Sequence, residues 1–217
     1  MSALYVYALS GRSAAPFAAH GHQIEFLNFG PVHAAVERPA ERPTVSEAAL
    51  RAQHDIVIQI SASVDDVLPV RFGAYVEEEE LGQLVAMRRE VIERALDLVR
   101  GRVQMTVRIR GLQSSHDRAT TSKAIVVGTG TAYLEARRAA AVRPLTPAAM
   151  AVAAAVRHLA VSESVDTEAA GASTAMYHLI DKPAVKEYKD ALSPLQSSAL
   201  TVTGPWPPFA FAPDLWS

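Results

Sequence analysis

EEEELGQLVAMRREVIERALDLVRGRVQMTVRI, residues 77–109, holds two different periods one after the other. Up to Val99 the apolar residues Leu81, Leu84, Val85, Val91, Ile92, Ala95, Leu96 and Val99 recur every three or four positions, the stripe of an amphipathic helix about five turns long. Gly101 is the residue that ends it. From Val103 to Ile109, Val, Met, Val and Ile alternate with Gln, Thr and Arg, the two-residue period of a strand with one wet face. A helix that passes into a strand across one glycine leaves too little chain for a parallel crossover, so the class is α+β. The four glutamates Glu77–Glu80 are read as a charged helix start that complements the positive end of the helix dipole, in preference to a cation site.

Upstream, Leu4–Leu9 is a short β-rich apolar run, and Ile24–Val36 is a second with Gly30-Pro31 in its middle, so two strands joined by a turn are expected. A loop with two prolines, Arg38–Pro43, leads to Thr44-Val-Ser-Glu47, a capping box that should open a helix burying Val45, Ala49, Ala52, Ile56 and Ile60. Val67–Val76 returns to strand character.

Downstream, the polar stretch from Gly111 to Lys123 shows no periodicity and is the expected linker. A helix is expected over Tyr133–Ala141, broken at Pro144 and restarted with Thr146 as N-cap and Pro147 in the first turn, to run to about Ala160. Ser173–Ile180 reads as a strand, Lys182–Leu192 as a helix and Ala199–Thr203 as a strand. Two domains follow. Residues 1–112 form a ferredoxin-like sheet-and-helix unit, and residues 123–217 an α+β unit with long helices that closes on the proline-rich end.

Composition narrows function. With 49% of residues hydrophobic and 20% charged the chain can bury a core. A net charge of −2 without a long Lys/Arg cluster lacks the footprint of a nucleic-acid binder or of a protein held on anionic lipid, so neither is an expected partner. The absence of cysteine removes disulfides, thiolate zinc sites, iron–sulfur clusters and a cysteine nucleophile together, and suits a reducing cytosol. The start has no basic n-region and reads as a strand and not a signal peptide; the uncharged run Pro144–Val156 is too short to span a bilayer.

Catalytic patterns are weak. Gly128-Thr-Gly130 lacks the third glycine of a dinucleotide fingerprint, because Tyr133 stands in its place. Of seven histidines only His20 and His22 are close, with His33 able to join across the turn, and they read as surface residues more than as a metal set. No nucleophile elbow, P-loop or zincin motif is present, so no catalytic residue, cofactor or metal is assigned.

Two rigid apolar motifs stand out: Leu68-Pro-Val-Arg-Phe-Gly73 and Gly204-Pro-Trp-Pro-Pro-Phe209. In the first, Arg71 between Val70 and Phe72 must face solvent or find a carboxylate, and a carboxylate partner is expected. In the second, Pro205, Pro207 and Pro208 fix an extended path while Trp206, Phe209 and Phe211 offer large apolar faces. That segment either packs on its own domain, as a lock on the second half, or presents a patch to another protein.

With Leu4-Tyr-Val-Tyr7, Tyr133-Leu134 and Tyr177–Asp181, these motifs make the chain resemble the gas vesicle protein F/L family from Leu4 to Phe211. Val70 stands where leucine is commoner, and Pro144 and Pro147 interrupt what would be one long central helix. The resemblance implies a cytoplasmic protein needed for gas vesicle formation, associating with the small hydrophobic shell protein and with other accessory proteins, and bringing no enzymatic activity or cofactor. Leu68, Pro69, Arg71, Phe72, Gly73, Gly204, Pro205, Trp206, Pro207, Pro208 and Phe209 are then its family motif and possible interface. Two other classes stay open: a small-molecule or nucleotide-binding enzyme on a ferredoxin-like scaffold, and a general chaperone or scaffold.

Overall fold

All seven residues of β1 (Leu4–Ser10) are buried in the computed structural model, which describes residues 3–42, 44–110, 145–167 and 173–215. A strand without a wet face belongs in the middle of a sheet with cover on both sides. Around it lie β2 (Phe17–Ala19), β3 (His22–Phe29), β4 (Val32–Glu37), β5 (Val67–Pro69) and β6 (Tyr75–Val76), in the order β2-β3-β4-β1-β5 with β6 also on β1. Gly30, at φ +81, makes the expected turn between β3 and β4, with its N–H donating to Asn28 Oδ1 at 2.7 Å. Helix α1 (Glu47–Ser63) covers the face that carries Tyr5, Tyr7, Ile24 and Ala35. Helix α2 (Glu78–Met87) meets Phe29, which by strand alternation lies on the other face from Ile24.

Several local expectations are corrected here. Helix α1 is capped by Ser46, whose Oγ accepts from Ala49 N at 3.1 Å, and not by Thr44. Its buried stripe is Gln53, Ile56, Val57 and Ile60, while Val45 is 78% exposed. The long helix starts on its glutamates as expected, at Glu78, but is interrupted at Arg88, so that α3 (Arg89–Val99) follows α2. The buried residues Leu81, Val85, Ile92, Leu96 and Val99 form a stripe that would next fall near 88, where an arginine cannot be buried unpaired. The expected strand Val67–Val76 is two short strands on β1 with an arch between them.

By contacts the chain divides into Met1–Gln104 with Pro205–Ser217, and Met105–Gly204. This differs from the expected division at residues 112 and 123, and the proline-rich segment groups with the first unit. The division falls inside β7 (Arg102–Arg110) and β10 (Leu200–Trp206), longer than the strand expected at 199–203. The second sheet runs β10-β7-β9-β8, with β8 (Ala160–Thr167) and β9 (Ser173–Asp181) antiparallel. Helix α4 (Pro147–Val156) starts as expected, with Thr146 Oγ1 accepting from Ala149 N at 3.2 Å, but stops before Ala160, which begins β8. Helix α5 (Val185–Leu192) follows a 3-10 turn at Lys182–Ala184. Ala149, Val152, Val156, Met176, Ile180, Tyr188 and Leu192 are buried in this unit. The linker at 111–123, Gly128-Thr-Gly130 and the helix of 133–141 lie outside the described residues.

Candidate functional site

The two rigid motifs, more than a hundred residues apart in sequence, meet in the first unit. Leu68 and Pro69 end β5 and are buried against β1, where Leu9 faces Leu68 and Ala8 faces Pro69. Val70 N donates to Tyr7 O at 2.9 Å and Val6 N to Ala74 O at 2.9 Å, so both feet of the arch Arg71-Phe72-Gly73 stand on β1. Gly73 has φ +92, a conformation that glycine adopts without cost, and its N–H donates to Tyr5 Oη at 3.1 Å. The Tyr5 hydroxyl donates in turn to Gln53 Oε1, and Gln53 Nε2 donates to Val70 O at 2.9 Å. The arch is thus held from beneath by one buried tyrosine and one buried glutamine.

The second motif reaches the same place along β10. Gly204 has φ +112 and Pro205 is exposed, while Pro207 and Pro208 are buried. Trp206 and Phe209 flank His54 of α1, with ring centroids 5.3 and 6.0 Å away, the Phe209 ring nearly parallel to the imidazole. Ala210 N donates to Gln104 Oε1 at 2.8 Å. Trp206 is half-buried, so it anchors the segment on the first unit and is not the lock on the second half that the sequence suggested.

Between arch and segment lies a pocket of about 320 Å³ lined by Pro69, Val70, Phe72, Tyr75, Phe209 and Pro213. Phe72 packs edge-on to Tyr5 at 6.0 Å, and Phe209 is 37% exposed. At the mouth Arg71 Nη1 stands 3.2 Å from Asp214 Oδ2. The carboxylate partner expected for Arg71 is therefore present, but the arginine side chain is 82% exposed and needs no partner for its solvation. The recess joins the apolar side chains of Phe72, Phe209 and Pro213 to a polar mouth at Arg71 and Asp214.

A second polar cluster lies nearby. Tyr7 Oη donates to Glu37 Oε2 at 2.8 Å, and His22 Nδ1 is 2.9 Å from the same oxygen. Burial, and then the hydrogen bond to Glu37, push the Tyr7 hydroxyl far above its ordinary value, so it remains a proton donor. His20 faces Asp55 at 3.4 Å instead of joining His22. Among the described residues no group of three His, Asp or Glu could hold a metal. In the second unit His178 is fully buried, with Nδ1 2.7 Å from Tyr188 Oη, and burial lowers its pKa to about 4.

Tyr5, Gln53 and His54 were missed as site residues. Gln53 carried a usable signal: it lies on the helical stripe of Ala49, Ile56 and Ile60, and a polar residue at a core position calls for a buried partner.

A family model described as "Gas vesicle synthesis protein GvpL/GvpF" matches residues 3–213. Comparison with curated proteins finds no significant match. Among solved structures, the chain is similar to the gas vesicle protein GvpF from Anabaena sp. PCC7120, with a TM-score of 0.71, 14% identity and 99% of each chain covered. It is also similar to the gas vesicle protein GvpF from Microcystis aeruginosa, with a TM-score of 0.72, 11% identity, and 98% of this chain and 100% of that chain covered.

Proposed function

Given that the chain belongs to the gas vesicle synthesis protein GvpL/GvpF family, we propose that it is a cytoplasmic accessory protein of gas vesicle assembly that binds the small hydrophobic shell protein through its first unit. The observation that carries this reading is the convergence of both family motifs on one pocket, where Phe72 and Phe209 stand beside the charged pair Arg71 and Asp214. A strongly apolar subunit exposes faces and sheet edges until it is incorporated, and a partner that covers them limits its aggregation. An apolar recess beside a pinned arch suits that task and needs no turnover. Other accessory proteins of the same assembly are its further partners in this reading.

The test is retention of the co-expressed shell subunit by the full chain. Fragments divided at residues 115 and 120 are unsuitable, because they part the 205–215 segment from the unit it packs on. Phe72→Ala and Phe209→Ala should each lower retention by about tenfold while the fold persists. If the wild-type chain retains no shell protein while a nucleotide raises its melting temperature, the enzyme alternative replaces this reading.

A further inference from the structure

Among the described residues the second unit carries an unfinished sheet edge. Strand β8 is terminal in its sheet and, among the described residues, has β9 as its one strand partner, so its outer row of backbone donors and acceptors faces away from the ladder. In the register of the pair, Glu163 lies opposite His178 and Val165 opposite Met176. The β9 members of these pairs are fully buried, yet Val161 and Val165 are 45% and 39% exposed. The helix layer therefore covers β9 and stops short of β8. A groove of about 480 Å³ runs along the gap, walled by Met150, Ala153, Ala154 and Arg157 on the α4 side and by Val161 and Glu163 on the strand. Met150 is 55% exposed at its rim.

We infer that this edge accepts an extended segment of a partner protein, added as a further strand, with its apolar side chains over the α4 groove and cationic side chains on the opposite face, against Asp166. Three features choose that occupant. The open backbone row favours a strand, which gains main-chain hydrogen bonds along its length. The exposed valines and Met150 ask for apolar side chains at alternate positions of that strand. Asp166 lies on the face of β8 away from Glu163 and Val165, the strand holds no lysine or arginine, and opposite charges across a pair stabilise while like charges destabilise. Glu163 lies in the groove with Arg157 and stands 3.5 Å from His178 Nε2, so the cationic contact falls to Asp166 on the other face. A second copy of β8 is a poor occupant for the same reason. A two-fold antiparallel pair centred on the strand sets the acidic residues of the two copies directly or diagonally across from one another.

The experiment titrates the full chain with a labelled peptide of about ten residues that alternates valine with lysine and threonine, read by fluorescence anisotropy and by amide hydrogen exchange. Binding with slowed exchange confined to residues 160–167 is expected. A version with glutamate for lysine, and a version N-methylated along one edge, should each bind at least about tenfold more weakly. Asp166→Lys should weaken the cationic peptide to a similar extent, with an unchanged melting curve showing that the variant is folded. The inference is overturned by absent binding, by equal binding of the N-methylated peptide, or by protection elsewhere in the chain. A dimer that forms with rising concentration through this edge would assign it to a second copy and overturn it as well.

Discussion

Removing one hydroxyl should loosen the arch of the first motif. In Tyr5→Phe the ring stays, so its packing in the core and its edge-on contact with Tyr7 at 4.9 Å are preserved and the change is polar alone. Two groups lose their partner: the Gly73 N–H, which donates to Tyr5 Oη at 3.1 Å, and Gln53 Oε1, on a residue only 6% exposed. A buried polar group left unmade costs about 1–3 kcal/mol, and Gly73 can recover part of its share from water, so about 2–4 kcal/mol of destabilisation is expected. For a chain of this length that lowers the melting temperature by roughly 5–15 °C. Tyr7→Phe is the internal control. Its hydroxyl serves Glu37 alone, and Glu37 keeps His22 at 2.9 Å, so the loss should stay near 1 kcal/mol. Melting followed by circular dichroism at neutral pH, with proteolysis of the arch as a second readout, decides the matter. If Tyr7→Phe costs as much as Tyr5→Phe, or the Tyr5 variant melts with the wild type, the hydroxyl does not hold the arch.

Arg71→Ala should change stability by no more than about 1 kcal/mol, because its ion pair is solvent-exposed; a large fall in the melting temperature would mean the pair carries structure. Gly11→Ala should destabilise by about 1–3 kcal/mol in denaturant titrations, since the added Cβ would lie 2.6 Å from the Oδ2 of buried Asp66, and an unmoved midpoint would show that the carboxylate can give way. His178 titrates near 4 when folded against about 6.5 when unfolded, so between these values the unfolded chain binds more protons and stability falls as pH falls, by up to about 3 kcal/mol, with the full contribution present above about pH 6.5. Glu163 at 3.5 Å favours the protonated ring and trims that loss, and His178→Gln should flatten the pH dependence between about 7 and 5; an equally steep wild-type and variant profile would place the titration elsewhere.

The class of the fold was legible because residues 77–109 carry a helical period and a strand period in unbroken succession. Burial on one side is what writes such a pattern. Strand β8 was missed for the converse reason: as an edge strand its sequence Ala-Val-Ser-Glu-Ser-Val-Asp-Thr has polar residues on both faces, and no alternation rises above a loop. The break at Arg88 was missed because the apolar stripe resumes at Val91 and Ile92 beyond it, so that two helices read in sequence as one. The motifs themselves were visible as rigid apolar clusters. Their meeting was not, since Arg71 and Asp214 are joined by a long-range contact and by no local period. The segment had been expected to pack on its own, second domain or to present a patch to another protein, whereas His54 on α1 is what its aromatic rings reach.

The division of the chain makes the first unit discontinuous, with residues 105–204 inserted between its two parts. Synthesis proceeds from one end, so the pocket's lower wall exists long before Phe209 and Pro213 leave the ribosome to close it. Until then the arch and the ring of His54 lack the cover of Trp206 and Phe209, and the unit is held by the β1 sheet and its helices. Closing a loop of that length costs conformational entropy that grows with the logarithm of the number of residues. The inserted unit lessens it, because β7 and β10 are neighbours in its sheet and bring the two ends of the insertion side by side once that sheet has formed. A nascent chain of this protein should therefore complete its second sheet before its first unit matures, and the pocket between arch and segment closes only after that sheet has formed.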